Sequence, residues 1–191
     1  MGFGSECKLR KDQIHEIAYG LEVSGLPFIW VLQKPSWGDS DNEDDILPLG
    51  FGSRVRGKGI TQIGWAPQRE ILAHPAVGGC LFHAGWGSVT ETLQYGHSLV
   101  VLPFIVDQGL NSRYLVEKGL AIEVERSEDG SFSKDDIAQS LRRAMVPNVE
   151  DEGEALRLLR ARAAEAAALF GDRELNGCYI ERFVEYLKTE T

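Results

Sequence analysis

The chain has 191 residues, with 20 lysines and arginines against 29 aspartates and glutamates, which gives a formal charge of −9. This charge disfavours nucleic acid or an anionic membrane surface as the main partner. Hydrophobic residues make up 43% of the chain, as in one globular domain, yet no apolar run reaches the roughly 18 residues that span a bilayer.

The first predicted elements are a glycine turn, an amphipathic helix and a buried strand. Residues 2–5, Gly-Phe-Gly-Ser, resemble the end of a strand that turns into a glycine loop. Apolar residues then recur at helical spacing up to Gly25, at positions Ile14, Ile17, Ala18 and Leu21. Residues 28–32, Phe-Ile-Trp-Val-Leu, are apolar on both faces, as in a buried parallel strand.

Strands and helices alternate through the middle of the chain. Residues 35–58 lose all periodicity. Acidic side chains crowd positions 39–45, which indicates a solvated surface loop, and an acidic partner site is the alternative. We then expect strands near 59–64, 78–83, 99–102 and 121–124, with helices near 68–73, 88–95 and 108–118. This βα spacing predicts an α/β fold with a Rossmann-like, doubly wound parallel sheet and helices on both faces.

The tail is predicted to be helical. Residues 133–136, Ser-Lys-Asp-Asp, have the pattern of a capping box ahead of a helix. A long helix should run from about 153 to 170 and stop at Gly171, and a last amphipathic helix follows it. The first strand of a doubly wound sheet lies in its middle. Because almost none of that strand is present, we expect a fragment whose upstream part is missing and whose Met1 is an artificial start.

Several motifs resemble those of phosphate loops, dinucleotide-binding folds and metal sites, but each departs from its pattern. Residues 52–58 match GxxxxGK, but Gly59 stands where a phosphate loop needs Ser or Thr, and a strand follows where a helix is needed. Residues 2–4 match the start of GxGxxG, but the third glycine is replaced by Cys7. The four histidines lie at no metal-ligand spacing, so we expect no metal. The three distant cysteines indicate reduced thiols in a cytosolic protein.

Residues 65–108 carry the residue types that a nucleotide ligand needs. Trp65 follows a strand, at the sheet edge where open α/β sheets bind ligands, and its indole suits stacking on a nucleobase. The alternative for Trp65 is a core position. His83 ends the next strand, and the turn that follows leads into a helix whose N-terminal amides favour an anion such as a diphosphate. The alternative for His83 is a cap on the strand end.

Three more groups extend this pattern. Ser88 adds a hydroxyl donor to the anion site, and Glu91 can accept hydrogen bonds from ribose hydroxyls or form a capping box. Asp107 and Gln108 supply acceptors and donors for the vicinal hydroxyls of a sugar, although an ordinary helix N-cap is the alternative. A base stacker, a diphosphate cradle, a ribose acceptor and a hydroxyl binder thus occur in chain order, as a nucleoside diphosphate sugar requires.

This segment resembles the signature box of plant secondary-product UDP-glycosyltransferases. The box reads WAPQ, ILxH, HxGWxSxxE and GxPxxxxPxxxDQ, and its matches here are residues 65–68, Ile71, Leu72, His74, His83, Gly85, Trp86, Ser88, Glu91, Gly96, Pro103, Asp107 and Gln108. Residues 2–6 resemble the family's Gly-Ser loop, and residues 47–51 its LPxGF segment. The resemblance implies the C-terminal donor-binding half of a GT-B fold. Residues 1–171 would form that domain, and 172–191 a helix that crosses back to an N-terminal acceptor domain.

The resemblance also assigns roles to residues. It implies that Trp65 stacks on uracil, that the Ala66 backbone bonds to it, and that Gln68 and Glu91 hold the ribose. It places Ser5, His83 and Ser88 on the diphosphate, and Trp86, Asp107 and Gln108 on the sugar. Gln108 is typical of members that use UDP-glucose. Flavonoids, terpenoids or their glycosides are the implied acceptors, and no separate cofactor is implied.

Departures from the family pattern leave alternatives open. Gly87 stands where the family usually has Asn, Ser98 where it has Pro, and Ala84 where Cys is common. The family's general-base histidine belongs to the acceptor domain, so no residue of this chain is assigned as catalytic, and the isolated chain should be inactive. The main reading is the donor half of an inverting hexosyltransferase. A non-catalytic nucleotide-sugar-binding fragment and a dinucleotide oxidoreductase are the alternatives.

Overall fold

The computed structural model describes residues 1–4, 6–35, 37, 43–147 and 152–189. Helices and strands alternate through most of these ranges, which confirms the predicted α/β class. In chain order the elements are α1 (Lys11–Ser24), β1 (Phe28–Leu32), α2 (Glu43–Ile46), α3 (Phe51–Arg54), β2 (Gly59–Ile63), α4 (Gln68–Leu72), β3 (Gly79–Phe82), α5 (Trp86–Leu93), β4 (Ser98–Val101), α6 (Gln108–Glu117), β5 (Ala121–Glu123), α7 (Lys134–Met145), α8 (Glu152–Phe170) and α9 (Arg173–Thr189).

The sheet is parallel and has residues 1–2 at its centre. β1 pairs with β2, and β3, β4 and β5 pair side by side in that order. Gly2 lies between these two groups of strands, because it pairs with Val31 of β1 and with Phe82 of β3. The Val31 amide donates to the Met1 carbonyl over 2.9 Å, and the Gly2 amide donates to the Leu81 carbonyl over 3.3 Å. The first strand therefore lies in the middle of the sheet, as predicted.

Helices cover both faces of this sheet. Leu81 joins the hydrophobic cluster built with α1 and α7, whereas its neighbour Phe82 joins the cluster built with α5 and α6. Successive residues of a strand point to opposite faces, so these are two cores on two sides. Helix α8 packs into both cores, because Leu159 belongs to the first cluster and Ala166 to the second.

Close packing fixes α1 against α7. A Cβ on Gly20 would lie 2.6 Å from the Cβ of Ile137, so only glycine permits this approach. The predicted capping box is present, since the Asp136 amide donates to Ser133 Oγ over 3.3 Å and the Ser133 amide donates to Asp136 Oδ2 over 2.8 Å. Helix α7 therefore begins where the sequence indicated.

The segment between β1 and β2 differs from the prediction. The sequence predicted no regular element there, whereas the described part contains the short helices α2 and α3. Ile46, Leu47 and Phe51 are buried there, and the Phe51 ring packs edge-on against Trp30 with centroids 6.3 Å apart. These apolar side chains lie too close in sequence to produce a periodic pattern. Asp39 and Asp41 lie outside the described residues.

The final helix adds nothing to the two cores. Every residue of α9 is described, and none of them is buried. Its exposed side chains include Tyr179, Ile180 and Phe183. None of the helices in the described part of the chain is long and apolar enough to cross a membrane.

Candidate functional site

The predicted site residues follow the carboxyl ends of three parallel strands. Trp65 lies two residues after β2, His83 directly after β3, and Asp107 in the loop between β4 and α6. Because β3 and β4 pair directly and all pairings are parallel, these loops emerge at one edge of the sheet. Ser5 lies outside the described residues.

The Trp65 indole is available to a ligand. Its side chain is 81% exposed, which excludes the alternative of a core tryptophan. Pro67 follows as the N-cap of α4, so the chain turns directly into a helix that carries Gln68. An exposed indole on a short, anchored turn offers an aromatic face at little cost in conformational entropy.

Gln68 and Glu91 meet at this edge. The Gln68 Nε2 donates a hydrogen bond to Glu91 Oε2 over 2.6 Å, which links α4 to α5. This bond brings together two residues that lie 23 positions apart in sequence. The loop after β2 and the helix after β3 therefore present a joint polar surface.

The His83 imidazole lies between two glycines. A Cβ on Gly4 would be 2.9 Å from its Cε1, and a Cβ on Gly85 would be 2.4 Å from its Nε2. Its Nδ1 is buried and has no hydrogen-bond partner among the described residues. Burial lowers the pKa of His83, and the charge of Asp107 opposes that shift in part. The ring is therefore held against the first turn of the chain and favours its neutral form.

Helix α5 begins two residues earlier than predicted, at Trp86. Gly85 is its N-cap in an extended conformation and supplies no side-chain capping bond, so the first-turn amides are open to an anion. Gly87 and Ser88 lie in this turn. A Cβ on Gly87 meets no atom of the described residues within 4 Å, so a larger side chain fits there. Trp86 is 45% exposed, and its ring packs against Tyr114 with centroids 6.2 Å apart.

Gln108 is the buried member of the predicted set. It is only 5% exposed, and its Oε1 accepts hydrogen bonds from the amides of Phe104 and Ile105 over 2.9 and 3.0 Å. The Oε1 acceptor of Gln108 is thus already bonded to backbone amides of the preceding loop. A contact of Gln108 with a sugar is restricted to Nε2.

Asn111 belongs to this region, although the sequence did not single it out. Its Nδ2 donates to the Ala84 carbonyl over 3.0 Å and to Asp107 Oδ2 over 2.9 Å. It joins the loop after β3 to the loop after β4. The available signal was its position four residues after Asp107, which places both on one face of a helix.

Arg126 also contacts the loop that precedes Asp107. Its guanidinium lies 5.2 Å from the ring centroid of Phe104 and 5.6 Å from that of Phe132, and it donates to the Pro103 carbonyl. Burial lowers the pKa of this arginine, which nevertheless stays charged. A single arginine after a short strand gave no sequence signal.

Backbone strain lies at the same edge. Ala84, with φ of 63°, and Val106, with φ of 53°, are the two non-glycine residues with positive φ in the described ranges. Ala84 follows His83, and Val106 precedes Asp107. Left-handed φ is unusual for alanine and a clear outlier for a β-branched valine, and such outliers concentrate at functional sites.

A cavity of about 110 Å³ lies beside the site and does not coincide with it. Its lining includes Phe3, Gly4, Cys7 and Leu32. Ligand pockets usually exceed about 300 Å³, so this space is too small for a nucleotide sugar. Burial raises the pKa of the Cys7 thiol to about 11, which keeps it protonated and unreactive.

Hydrogen bonds link the elements at this edge at two places and involve Gln68, Glu91 and Asp107 of the predicted set. Gln68 contacts Glu91 on α5, and the Ala84 carbonyl just before α5 is tied through Asn111 to Asp107. Within the described ranges, no group of three or more His, Cys, Asp or Glu side chains has the arrangement of a metal site. The chemistry at this edge is that of an aromatic face, helix-terminal amides and carboxylates.

Comparison with known proteins gives a consistent family. The profile of the family described as UDP-glucoronosyl and UDP-glucosyl transferase matches residues 1–158. The chain is 46% identical to soyasaponin III rhamnosyltransferase of Glycine max over 98% of this chain and 38% of that protein. It is 41% identical to UDP-glycosyltransferase 91D2 of Stevia rebaudiana over 100% of this chain and 39% of that protein. The chain thus spans about two fifths of the length of these relatives.

Solved structures show the same similarity. A transferase from Siraitia grosvenorii in complex with UDP aligns with a TM-score of 0.77 and 36% identity, over 96% of this chain and 44% of that one. Phytolacca americana UGT2 in complex with UDP-2fluoro-glucose and pterostilbene aligns with a TM-score of 0.75 and 32% identity, over 87% of this chain and 35% of that one.

Proposed function

The chain belongs to the family of UDP-glucoronosyl and UDP-glucosyl transferases, and from that premise we propose that its sheet edge binds a UDP-sugar. The observation that carries the proposal is the Gln68–Glu91 hydrogen bond, which begins three residues after the exposed Trp65. A nucleoside needs an aromatic face and a hydroxyl acceptor next to each other, and these residues supply both. Residues 1–171 form the proposed donor-binding domain.

The proposed uridine contacts are made by the loop after β2 and by α5. Trp65 stacks on uracil and the Ala66 backbone bonds to the base. The Glu91 carboxylate accepts from the ribose hydroxyls, and Gln68 both orients it and contacts the ribose. Because Gln68 and Glu91 are already in contact, little ordering is required when the ribose binds.

The proposed diphosphate contacts come from the start of α5. The first-turn amides, Ser88 Oγ and His83 meet the phosphate oxygens, and Ser5 is proposed to do so from the glycine loop. Helix-terminal amides and an imidazole donor stabilise the charge that grows on a departing diphosphate without moving. Gly87 contributes its backbone amide and no side-chain donor.

The sugar is proposed to contact Trp86, Asp107 and Gln108. Asp107 offers carboxylate oxygens to two hydroxyls, and Gln108 offers its Nε2, since its Oε1 is bonded within the loop. Glucose is the proposed hexose. The name of the Glycine max relative specifies rhamnosyl transfer, so the donor sugar requires direct measurement.

The proposed reaction of the full-length protein is direct displacement with inversion. A hydroxyl oxygen of a flavonoid, terpenoid or related glycoside forms a bond to the anomeric carbon as the bond from that carbon to the diphosphate oxygen breaks. A base takes the hydroxyl proton, and UDP leaves. No residue of this chain is assigned as that base. Helix α9, with its exposed apolar side chains, is proposed to contact the acceptor domain.

A non-catalytic binding role for this chain is the second candidate. It is favoured by Gly87, which lacks a side-chain donor. Titration of wild type and Gly87→Asn with UDP-glucose separates the candidates, because a large gain in affinity for the Asn variant favours decay of function. Both candidates predict no product from this chain alone. Purified chain is incubated with UDP-glucose and a panel of flavonoid and terpenoid acceptors, and glycoside is sought by mass spectrometry. We expect none, and any enzyme-dependent product contradicts that expectation.

Binding itself is tested by calorimetric titration with UDP, UDP-glucose and NAD⁺. We expect UDP and UDP-glucose to bind and NAD⁺ not to bind at the same concentrations. Binding of NAD⁺ without UDP would support the oxidoreductase alternative and overturn the proposal. Failure of the folded chain to bind either uridine ligand would also overturn it.

A further inference from the structure

We propose that Asn111 is a positioning residue that couples the sugar contact of Asp107 to the diphosphate turn at Ala84. The inference rests on the proposed function and adds a residue to it. Asn111 itself touches neither the base nor the ribose in this scheme. Its role is to fix two ligand-binding loops relative to each other.

Both hydrogens of the Asn111 amide are used. Nδ2 donates to the Ala84 carbonyl over 3.0 Å and to Asp107 Oδ2 over 2.9 Å. Both acceptors lie at the Nδ2 of Asn111. The opposite orientation of the amide would place the Asn111 Oδ1 against two oxygen acceptors, so the orientation is determined. One side chain thus holds a peptide carbonyl after β3 and a carboxylate after β4.

The Ala84 peptide needs such a restraint. Ala84 is fully buried and adopts a φ of 63°, a conformation that alanine avoids. Ala84 connects His83 to Gly85, which is the N-cap of α5. A hydrogen bond to its carbonyl stabilises the strained turn, and with it the position of the first α5 amides.

The Asp107 carboxylate is held by the same amide. Asp107 is the N-cap of α6, yet its side chain makes no capping bond within the described residues. It bonds to Asn111 one turn further along, so the orientation of the carboxylate is set by that amide. The residue before it, Val106, is also strained, with φ of 53°.

The scaffold beneath Asn111 is rigid. Its neighbour Ser112 is fully buried and donates from Oγ to Glu123 Oε2 over 2.6 Å, which fastens α6 to β5. A displacement of Asn111 would require α6 to move against the sheet. The link between Asp107 and Ala84 therefore has a fixed support.

The test is Asn111→Asp, which keeps the shape of the side chain and removes both donors. It also places a second carboxylate beside Asp107. We expect the Kd for UDP-glucose at pH 7.5 to rise at least about tenfold more than the Kd for UDP, because the sugar contact is the one that is misplaced.

Two further variants complete the experiment. Asn111→Ala removes both donors without adding a charge and should also show the excess loss for UDP-glucose, and it replaces Asn111→Asp if that variant does not fold. Asn176→Asp is the matched control. Asn176 lies in the first turn of α9 and donates to the Phe170 carbonyl at the end of α8, and its replacement should leave both affinities unchanged.

The outcomes separate the two proposals. If wild type binds UDP and UDP-glucose, and the Asn111 variants weaken both ligands equally or neither, the positioning role is overturned and the proposed function stands. If the folded wild-type chain binds neither ligand, the proposed function and this inference fail together. An excess loss in folded Asn111→Asp that is absent from folded Asn111→Ala overturns the assignment of the lost donors as the cause.

Discussion

Gln68, the first residue of α4, donates a 2.6 Å hydrogen bond to the Glu91 carboxylate on α5. The bond orients this carboxylate, and the exposed Trp65 precedes Gln68 by three residues. A carboxylate oriented in this way before the ligand arrives loses little entropy on binding. The relationship makes the ribose subsite the most sharply testable part of the proposed site.

Glu91→Gln should weaken binding of UDP and of UDP-glucose by about 10- to 100-fold. The substitution replaces a charged acceptor by a neutral amide, and hydrogen bonds to charged groups contribute about 1.5–3 kcal/mol. Calorimetric titration measures the loss. Glu70→Gln on α4 is the matched control, because Glu70 is exposed and carries the same charge change. Equal affinities for wild type and Glu91→Gln would exclude a ribose contact.

Trp65→Ala should abolish most uridine binding and leave folding intact. Stacking of a base on an aromatic side chain is worth about 1–3 kcal/mol, so we expect a 5- to 150-fold loss for both ligands. The indole is 81% exposed, so the free energy of unfolding should change by no more than about 0.5 kcal/mol. Quenching of tryptophan fluorescence by UDP should disappear in this variant. Persistent quenching would assign the signal to another indole.

Gly87→Asn should strengthen UDP-glucose binding by about tenfold or more. A Cβ at this position meets open space, so the amide side chain can extend over the start of α5 and donate to the ligand. Gly87→Ala is the control, because alanine raises helix propensity at least as much as asparagine does and carries no side-chain donor. The prediction concerns the difference in affinity between the two variants. If Asn and Ala behave alike, the missing amide is not what limits binding.

The affinity for UDP-glucose should rise as the pH falls from 8 to 6. Burial lowers the pKa of His83 below the ordinary 6.5, so the imidazole of the unliganded chain is mostly neutral in this range. A diphosphate beside the ring raises that pKa, and binding then takes up a proton. UDP-glucose is the probe because, unlike UDP, it has no terminal phosphate that titrates near pH 6. His83→Gln should flatten the dependence.

The stability of the unliganded chain should change with pH in the opposite direction. Since the pKa of His83 is lower in the folded than in the unfolded state, the unfolded state binds more protons. The free energy of unfolding should therefore decrease as the pH falls below about 6.5. His83→Gln should remove this part of the slope in urea titrations at several pH values. A wild-type slope identical to that of the variant would contradict the burial of a neutral ring.

Truncation after Gly171 should preserve both folding and UDP-glucose affinity. No residue of α9 is buried, so its removal takes nothing from the cores, and the melting temperature should fall by no more than about 4 °C. Truncation after Pro147 is the contrasting variant, because it also removes the buried residues Leu156, Leu159 and Ala163 of α8, and it should not fold. Unfolding of the longer truncation would refute a domain boundary at 171.

The sequence determined the fold class, the central place of the first strand and the order of candidate groups along one edge. It could do so because βα spacing, turn residues and caps are local signals, as Ser133 and Asp136 illustrate. The same locality limited the prediction for 35–58, where the burial of Phe51 depends on contact with Trp30 from another element.

Only the tertiary structure decided how the loops meet. The contact of Gln68 with Glu91, the link from Asn111 to Ala84 and the packing of Arg126 on Phe104 join residues more than 20 positions apart. The burial of Gln108 likewise follows from the path of its loop. Such contacts leave no periodic trace in the sequence, because they arise when the fold brings together loops and helices that are distant along the chain.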